Sequence, residues 1–503
     1  MGGKEMASTA KQAAPAGDSM SIRAILAPLV AIIVGMFMVI LDGTAMNVAM
    51  PGLMDDFKSS MTVVQWTITG YALAQAAVIP LAGWLSDRFG AKQIFLFSII
   101  MFTIGSGLCA LASTAEQLIV FRVIQGLGGG MVAPIAMAFT FRLSPPGKQG
   151  AVMGMIGIPM LLAPALGPVV AGWLVDYVSW HWIFIINLPI GVIAVIVGLR
   201  TLPNLERKRV PALDFLGMLL APLAFAMLAY GVSSAGGGEG GGGSGWSSTE
   251  ALTGMIVGGV ALIIFIIVEL NRKEPLLELR VFKSSLFTRG IILQWIVQIA
   301  LFGTMFLVPV FLQIAKGYTA FNTGLIMLPQ ALAAGLFMPI GGRLFDKFGA
   351  RPVVITGLSI VTIAAYLLSR MSADTTLVML MIPLAMLGAG MGLSMMPLNT
   401  HIMQSAPREL VSRVTSLTAA AQQVMTSFAI AGLSTILAGR MEHYSATEPG
   451  PNIVYLSYGD TFFILASIAI VGAIVAMLLR RPKQEPIAGP DEKQPEVSMM
   501  MGH

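Results

Sequence analysis

Gly83-Trp84-Leu85-Ser86-Asp87-Arg88-Phe89-Gly90-Ala91-Lys92 is answered, 259 residues further on, by Gly342-Arg343-Leu344-Phe345-Asp346-Lys347-Phe348-Gly349-Ala350-Arg351. Glycine, leucine, aspartate, a base, phenylalanine, glycine, alanine and a second base recur in one order. Each copy is brief and charged, and each lies between two long apolar runs. Self-similarity at a fixed, long offset marks a duplicated architecture. The chain reads as two related halves.

Composition says what solvent those halves meet. Of 503 residues, 56% are hydrophobic and only 11% charged, against about 25% charged in soluble domains. So few charges cannot clothe a water-facing surface, and lipid must be the solvent. The formal charge of +5 does not point to nucleic acid, because the bases cluster at the ends of apolar runs, as topology signals do. A single cysteine, Cys109, excludes an intrachain disulfide framework and a multi-cysteine metal site. His181, His401, His443 and His503 form no H-E-x-x-H pair, and no G-x-x-x-x-G-K-[ST] loop occurs; neither a hydrolytic metal nor ATP is expected. The reading is a non-enzymatic protein without cofactors. The polar start (Met1 to Met20) and Arg23 precede a long span, so the chain from Ala24 onward is expected to be retained rather than cleaved.

A helix needs about 20 apolar residues to cross the hydrocarbon. That window predicts an all-α polytopic protein with fourteen spans, near 24–50, 62–85, 93–113, 115–141, 150–175, 182–201, 214–233, 251–270, 287–313, 323–345, 351–370, 376–400, 412–438 and 460–480. Barrel strands are excluded, since the runs are too long and do not alternate. An even count puts both termini on one side. If that side is the cytoplasm, most Lys and Arg residues fall there, in clusters such as Arg200, Arg207, Lys208 and Arg209, then Arg272, Lys273, Arg280 and Lys283, then Arg480, Arg481 and Lys483. Six helices with short loops need roughly 180–200 residues, so the repeat offset leaves room for two further helices between the halves, joined by the glycine-rich loop Gly236 to Gly245. The expected division is a cytoplasmic tail (1–22), a six-helix half (23–205), a central helix pair (206–275), a second six-helix half (276–482) and a cytoplasmic tail (483–503).

Two formal charges read as lying well inside spans, Asp42 and Arg122. Burying a charge at mid-membrane costs about 2.5–3.5 kcal/mol on insertion scales, so each needs a partner, a wet cavity or a function. At 1.5 Å per residue, Asp42 lies about 13 Å below Pro51, and Arg122 is about as deep below Ser113. Other polar groups in spans are Asn47, Gln65, Gln125, Gln294, Gln298, Gln313, Gln330, Asn399, Gln422 and Gln423, of which Gln125, Gln298 and Gln330 are candidate substrate contacts. The fifth span carries Gly154, Gly157, Pro159, Pro164, Gly167, Pro168 and Gly172, small residues that let helices approach and prolines that let them bend.

Several stretches together carry a family resemblance. The paired loops resemble the signature loop of the major facilitator superfamily. The two additional central helices resemble its fourteen-helix drug–proton antiporter branch, the EmrB/QacA type. Leu41-Asp42-Gly43-Thr44-Ala45-Met46-Asn47-Val48-Ala49-Met50-Pro51 is similar to that branch's first-helix motif, and Arg122-Val123-Ile124-Gln125-Gly126 to its fourth-helix motif. Ala163-Pro164-Ala165-Leu166-Gly167-Pro168 with Gly172 resembles the fifth-helix antiporter motif, with Ala163 and Ala171 where glycine is usual. Trp182-Ile183-Phe184-Ile185-Ile186-Asn187-Leu188-Pro189 resembles the start of the sixth helix, with His181 in place of an arginine.

The resemblance implies a major facilitator fold and a proton-coupled multidrug efflux antiporter in the plasma (inner) membrane, exporting lipophilic or cationic compounds by alternating access. The alternative is an exporter of one endogenous metabolite, lipid or siderophore on the same scaffold. Implied partners are a small drug-like substrate, protons, membrane lipids and, in a double-membrane organism, a periplasmic adaptor protein. The superfamily fold brings the first and fourth helices to one central cavity, which makes an Asp42–Arg122 interaction the expected proton-coupling pair. In such a place burial favours a neutral carboxyl and a guanidinium favours a charged one, so a small change in separation loads or releases a proton. The loop residues Gly83, Asp87, Arg88, Gly90, Lys92, Gly342, Asp346, Lys347, Gly349 and Arg351 are expected to form a latch. In that reading Asp87 and Asp346 cap the helices that follow them, Gly83 and Gly342 allow close approach, and Gly90 and Gly349 make the turns.

Overall fold

The computed structural model describes residues 22–59, 61–145, 147–204, 215–236, 245–272, 277, 279–407, 410–447 and 452–479. Both tails, the bases Arg207, Lys208, Arg209, Lys273, Arg480, Arg481 and Lys483, and most of the glycine loop lie outside these residues.

Hydrocarbon offers no partner to a backbone N–H or C=O, so each apolar run closes its own hydrogen bonds as a helix. Among the described residues there are fifteen α-helices: α1 (Ile22–Phe57), α2 (Met61–Phe89), α3 (Ala91–Ala110), α4 (Ala115–Leu143), α5 (Gln149–Tyr177), α6 (His181–Ile185), α7 (Asn187–Thr201), α8 (Phe215–Gly236), α9 (Thr249–Asn271), α10 (Ser285–Ile314), α11 (Ala320–Phe348), α12 (Ala350–Ser369), α13 (Leu377–Gln404), α14 (Val411–Thr447) and α15 (Asn452–Ala476). A 3-10 turn, Leu279–Lys283, precedes α10. Where polar residues mark a boundary they cap it. The hydroxyls of Thr114, Ser248, Ser284, Thr319 and Thr376 accept from the backbone N–H groups of Gln117, Ala251, Phe287, Asn322 and Met379.

Twelve spans among the described residues are long and apolar enough to cross a membrane, α6 and α7 counting as one. The two predicted spans not among the twelve are α5, of 29 residues, and α8, of 22; both include side chains outside the described set. Other boundaries move outward. The helices α14 and α15 run beyond the predicted 438 and 460, because Asp460 accepts from Tyr444 at 2.9 Å and pairs with Arg440 at 3.5 Å, tying the extensions together. The predicted sixth span holds as one stretch, His181–Thr201, with Ile186 keeping helical dihedral angles (φ −61°, ψ −27°) between α6 and α7.

The packing repeats as the sequence does. In the first half α1 packs on α5 and α7, α2 on α4, and α3 on α4 and α7. In the second, α10 packs on α14 and α15, α11 on α13, and α12 on α13 and α15. The two halves meet along two seams, α5 against α11 and α2 against α14, and the repeat relates one seam to the other. The helices α8 and α9 form a hairpin in which α8 lies on both α2 and α14. Large apolar side chains such as Ile104, Ile193, Ile256, Leu332 and Ile474 remain exposed around the outside, a belt suited to lipid. Glu269, only 1% exposed near the end of α9, is a further buried charge beyond Asp42 and Arg122; at the end of its apolar run it reads as terminal, but the 3-10 turn packs back against α9.

Candidate functional site

Asp42 sits near the middle of α1 and Arg122 in the first third of α4. Both side chains are wholly buried and in contact, Arg122 Nη1 donating to Asp42 Oδ2 at 2.6 Å. Two amides complete the carboxylate's surroundings. Gln125 Nε2 donates to Asp42 Oδ1 at 3.0 Å, and Asn187 Nδ2 donates to the same oxygen at 2.8 Å. Among the described residues, each hydrogen-bond partner of the carboxylate is a donor.

The guanidinium is held just as closely. Nη1 also donates to Gln125 Oε1 at 2.7 Å, and Nε donates to the Thr67 carbonyl at 3.3 Å. Its Cζ lies 3.8 Å from the centroid of Tyr71, a cation–π contact, with Phe184 at 5.7 Å on another side. The Cys109 thiol faces Gln125 Oε1 at 3.6 Å. Close helix approach makes the cage possible: a Cβ on Gly105 or Gly126 would lie 2.7 Å from the Gln125 backbone or 2.6 Å from the Tyr71 carbonyl. Six elements, α1 to α4, α6 and α7, thus converge on one ion pair.

Sequence reasoning pairs Asp42 with Arg122 and names Gln125, which the structure places in the same cage, as a candidate substrate contact. It also passes over Asn187, Ser106, Thr67, Tyr71 and Cys109. Asn187 left a signal, as the lone amide in the apolar stretch Phe184-Ile185-Ile186-Asn187-Leu188-Pro189. The other two candidate contacts lie in the second half, far along the chain. Gln298 Nε2 donates to Thr426 Oγ1 at 2.8 Å, and Gln330 Nε2 faces the sulfur of Met391 at 3.7 Å. Gln294, four residues before Gln298 on α10, is 1% exposed with neither amide atom hydrogen-bonded among the described residues. The side chains of Asn47 and Gln65 lie outside the described residues.

The repeated loops sit where the halves touch, on what is here termed the loop side. Gly90 and Gly349 make the turns with φ of 102° and 82°, a region open to glycine. The aspartates do not cap the helices that follow; α3 and α12 start at these glycines without a side-chain cap. Instead Asp346 reaches the opposite half directly, and Asp87 reaches it through Arg142 of its own half. Asp346 Oδ1 and Oδ2 accept from the backbone N–H groups of Gly150 and Ala151, at 2.8 and 2.9 Å, at the start of α5. Asp87 pairs with Arg142 at 3.1 Å, and Arg142 donates in turn to Ser412 at the start of α14. The reason is the packing of the first glycines. A Cβ on Gly83 would lie 2.6 Å from the Ser412 carbonyl, and one on Gly342 would overlap the Gly150 carbonyl. With backbones this close, the nearest orphan N–H groups belong to the facing helix.

Lys92 donates to the Leu199 carbonyl at 2.8 Å within its own half, Lys347 lies 5.1 Å from the Phe348 ring, and Arg88 and Arg351 are exposed. On α5, Gly154 meets Met338 of α11, with 2.6 Å from an added Cβ to the Met338 carbonyl, and Gly167 meets Thr44 of α1. Gly172 is buried on the same helix, as are Ala163 and Ala171, the alanines that stand where glycine is usual. Pro164 and Pro168 are on α5, with side chains outside the described residues.

A duplicated helical bundle, belted for lipid and closed over a buried ion pair, defines a multi-pass membrane protein of the transporter class. A sequence profile described as Major Facilitator Superfamily matches residues 32–430, and the chain belongs to that superfamily. It is 33% identical over 462 residues to the lincomycin resistance protein LmrB of Bacillus subtilis (strain 168), covering 90% of this chain and 95% of that one. To the multidrug resistance protein B homolog of Mycobacterium tuberculosis (strain ATCC 25618 / H37Rv) it is 35% identical over 405 residues, 80% of this chain and 74% of that one. Among solved structures it is similar in fold to the human organic anion transporter MFSD10, with a TM-score of 0.62 at 13% identity, covering 90% of this chain and 99% of that one.

Proposed function

We propose that the protein is a proton-coupled multidrug efflux antiporter that exports lipophilic or cationic compounds by alternating access. The observation that carries this reading is the Asp42–Arg122 pair, a completely buried carboxylate in contact with a guanidinium, in a chain similar to drug-resistance transporters. Arginine stays protonated at all accessible pH values, so Asp42 is the proton carrier and Arg122 its partner. A cation arriving near Asp42 competes with the proton, which is the exchange an antiporter requires.

In the same reading α5 and α8 also cross the membrane, giving fourteen spans of the EmrB/QacA kind, with the loop side and both termini in the cytoplasm of an inner-membrane protein. The division of the chain at 205, 275 and 482 follows from that count. The paired loops are the gate: Asp346 on α5, and Asp87 with Arg142 on α14, hold the loop side closed and let go when access switches. Drug-like substrate, protons and lipid are its partners, with a periplasmic adaptor where there is a second membrane. No cofactor takes part.

The test uses tetraphenylphosphonium, a lipophilic cation, added to purified protein in weakly buffered solution while released protons are followed. Wild type is expected to release protons, and Asp42→Asn to release none and to lose proton-driven transport in proteoliposomes. Full transport by Asp42→Asn overturns the assignment of the proton site.

A further inference from the structure

The hydrogen bonds around Asp42 can be assigned direction one by one, and they do not treat its two amide neighbours alike. Gln125 is fixed at both ends: its Oε1 accepts from Arg122 Nη1 at 2.7 Å, so its Nε2 must face Asp42. Turned over, it would set an NH2 against a guanidinium N–H. Asn187 is fixed at one end only. Its Nδ2 donates to Asp42 Oδ1 at 2.8 Å and to Ser106 Oγ at 3.0 Å, and the Ser106 proton goes to the Phe184 carbonyl at 3.0 Å. Its Oδ1 is buried with no hydrogen-bond partner among the described residues.

A protonated Asp42 has one O–H to donate, and among the described residues each of its oxygens has only N–H partners. Arg122 carries no acceptor, and Gln125 cannot offer one without opposing Arg122. Asn187 can: a half-turn of its amide brings the unused Oδ1 to Asp42, and the bonds given up are those to Ser106 Oγ and, at 3.4 Å, to the Ile183 carbonyl. The other titratable groups facing this centre, among the described residues, are Arg122 and Cys109 on α4 and α3 and Tyr71 on α2; α6 and α7 contribute Phe184 and Asn187, neither of which titrates.

We infer that Asn187 is a positioning residue whose amide sets the protonation equilibrium of Asp42, donating to the carboxylate and turning over to accept from the carboxylic acid. Ser106 biases that amide toward the donating orientation, so the pair holds Asp42 charged until a proton displaces it. The inference rests on the proton-coupling reading of Asp42.

The experiment is an infrared pH titration of the purified full-length protein in lipid nanodiscs, with no substrate present. The C=O band of the protonated carboxyl is assigned by its loss in Asp42→Asn. A hydrogen bond to an ionised group is strong enough that Asn187→Leu is expected to move the band's midpoint to higher pH by about one to two units. Ser106→Ala, which removes the bias but keeps the amide, is expected to move it the same way by less. A purely structural Asn187 would lower the yield of folded protein and leave the midpoint where it is in wild type, which overturns the inference. Should Asn187→Leu fail to fold, Ser106→Ala decides alone, and an unmoved midpoint is again the overturning result. The two readings fail separately: full proton-driven transport by Asp42→Asn removes the coupling role, whereas loss of that transport with unmoved midpoints removes only the role of Asn187.

Discussion

Arg122 is the largest completely buried side chain among the described residues, and its stability depends on company. Its charge faces Asp42 at 2.6 Å, its Nε a carbonyl, and its plane an aromatic ring. Removing one partner of such a pair leaves the other charged and buried, at a cost of about 3–5 kcal/mol, whereas replacing both with apolar groups is often neutral or better. Arg122→Leu is therefore expected to lower thermal stability sharply, while Asp42→Leu/Arg122→Leu recovers it and stays inactive. Thermal unfolding monitored by fluorescence, together with transport, checks this, and a double variant as unstable as the single one contradicts it. The pair was legible in the sequence because a charge in an apolar run stands out. The amides were not: Gln125 and Asn187 look like any other polar residue in a span until the fold shows what they face. That ambiguity hides the place of Gln125 beside Asp42, as it hides those of Ser106 and Thr67, whose hydroxyls and carbonyls are common in membrane helices.

Among the elements, most helices are readable to within a few residues, since apolar length dictates them. The helices α1, α14 and α15 run further, because polar residues extend them beyond their apolar runs. Partners of helix ends are not readable, and the two aspartates show why. Capping rules consider the helix that follows in sequence, yet Gly83 and Gly342 bring a facing helix nearer than the next turn. The same lack of side chain organises the central pair. A Cβ on Gly231 would lie 2.5 Å from the Met255 backbone nitrogen, and one on Gly258 would lie 2.6 Å from that of Leu228, so α8 and α9 touch backbone to backbone. Tyr230 of α8 then stacks on Trp66 of α2 at 6.1 Å, and Trp246, beyond α8, donates to Thr435 of α14 at 2.6 Å. The pair is clamped to both sides of the α2–α14 seam. Because backbone cannot yield as a side chain can, Gly258→Leu is expected to force the two helices apart and cost about 1–3 kcal/mol or more, the range for overpacking. A lowered melting temperature with weakened protection of α8 and α9 in hydrogen exchange is the expected outcome; unchanged exchange in both helices would contradict it.

At the scale of the molecule, the duplication first seen in ten residues reappears as geometry. Each loop glycine meets the start of the fifth long helix of the other half: Gly83 meets Ser412 on α14, and Gly342 meets Gly150 on α5. Asp346 adds two backbone N–H bonds at a helix N-terminus, where the positive dipole end favours a carboxylate. Gln404 Nε2 donates to Gln149 Oε1 at 2.7 Å beside them, crossing the same boundary. If alternating access is a rocking of one half on the other, these contacts exist only while the loop side is shut. Gly342→Val is expected to bar that state outright, since its side chain would occupy the place of the Gly150 carbonyl. Asp346→Asn is expected only to weaken it, because charge-assisted bonds worth about 1.5–3 kcal/mol become neutral ones of about 1, and a loss of about 1 kcal/mol is a shift of roughly fivefold in the equilibrium for each bond. The measurement is disulfide formation between cysteines placed at Gln149 and Gln404, in a Cys109→Ser background that removes the one native thiol. Rapid cross-linking is expected with both loops intact, slower cross-linking with Asp346→Asn, and almost none with Gly342→Val. Equal rates in all three would mean that the doubled loop shapes the helix ends without controlling which side is closed.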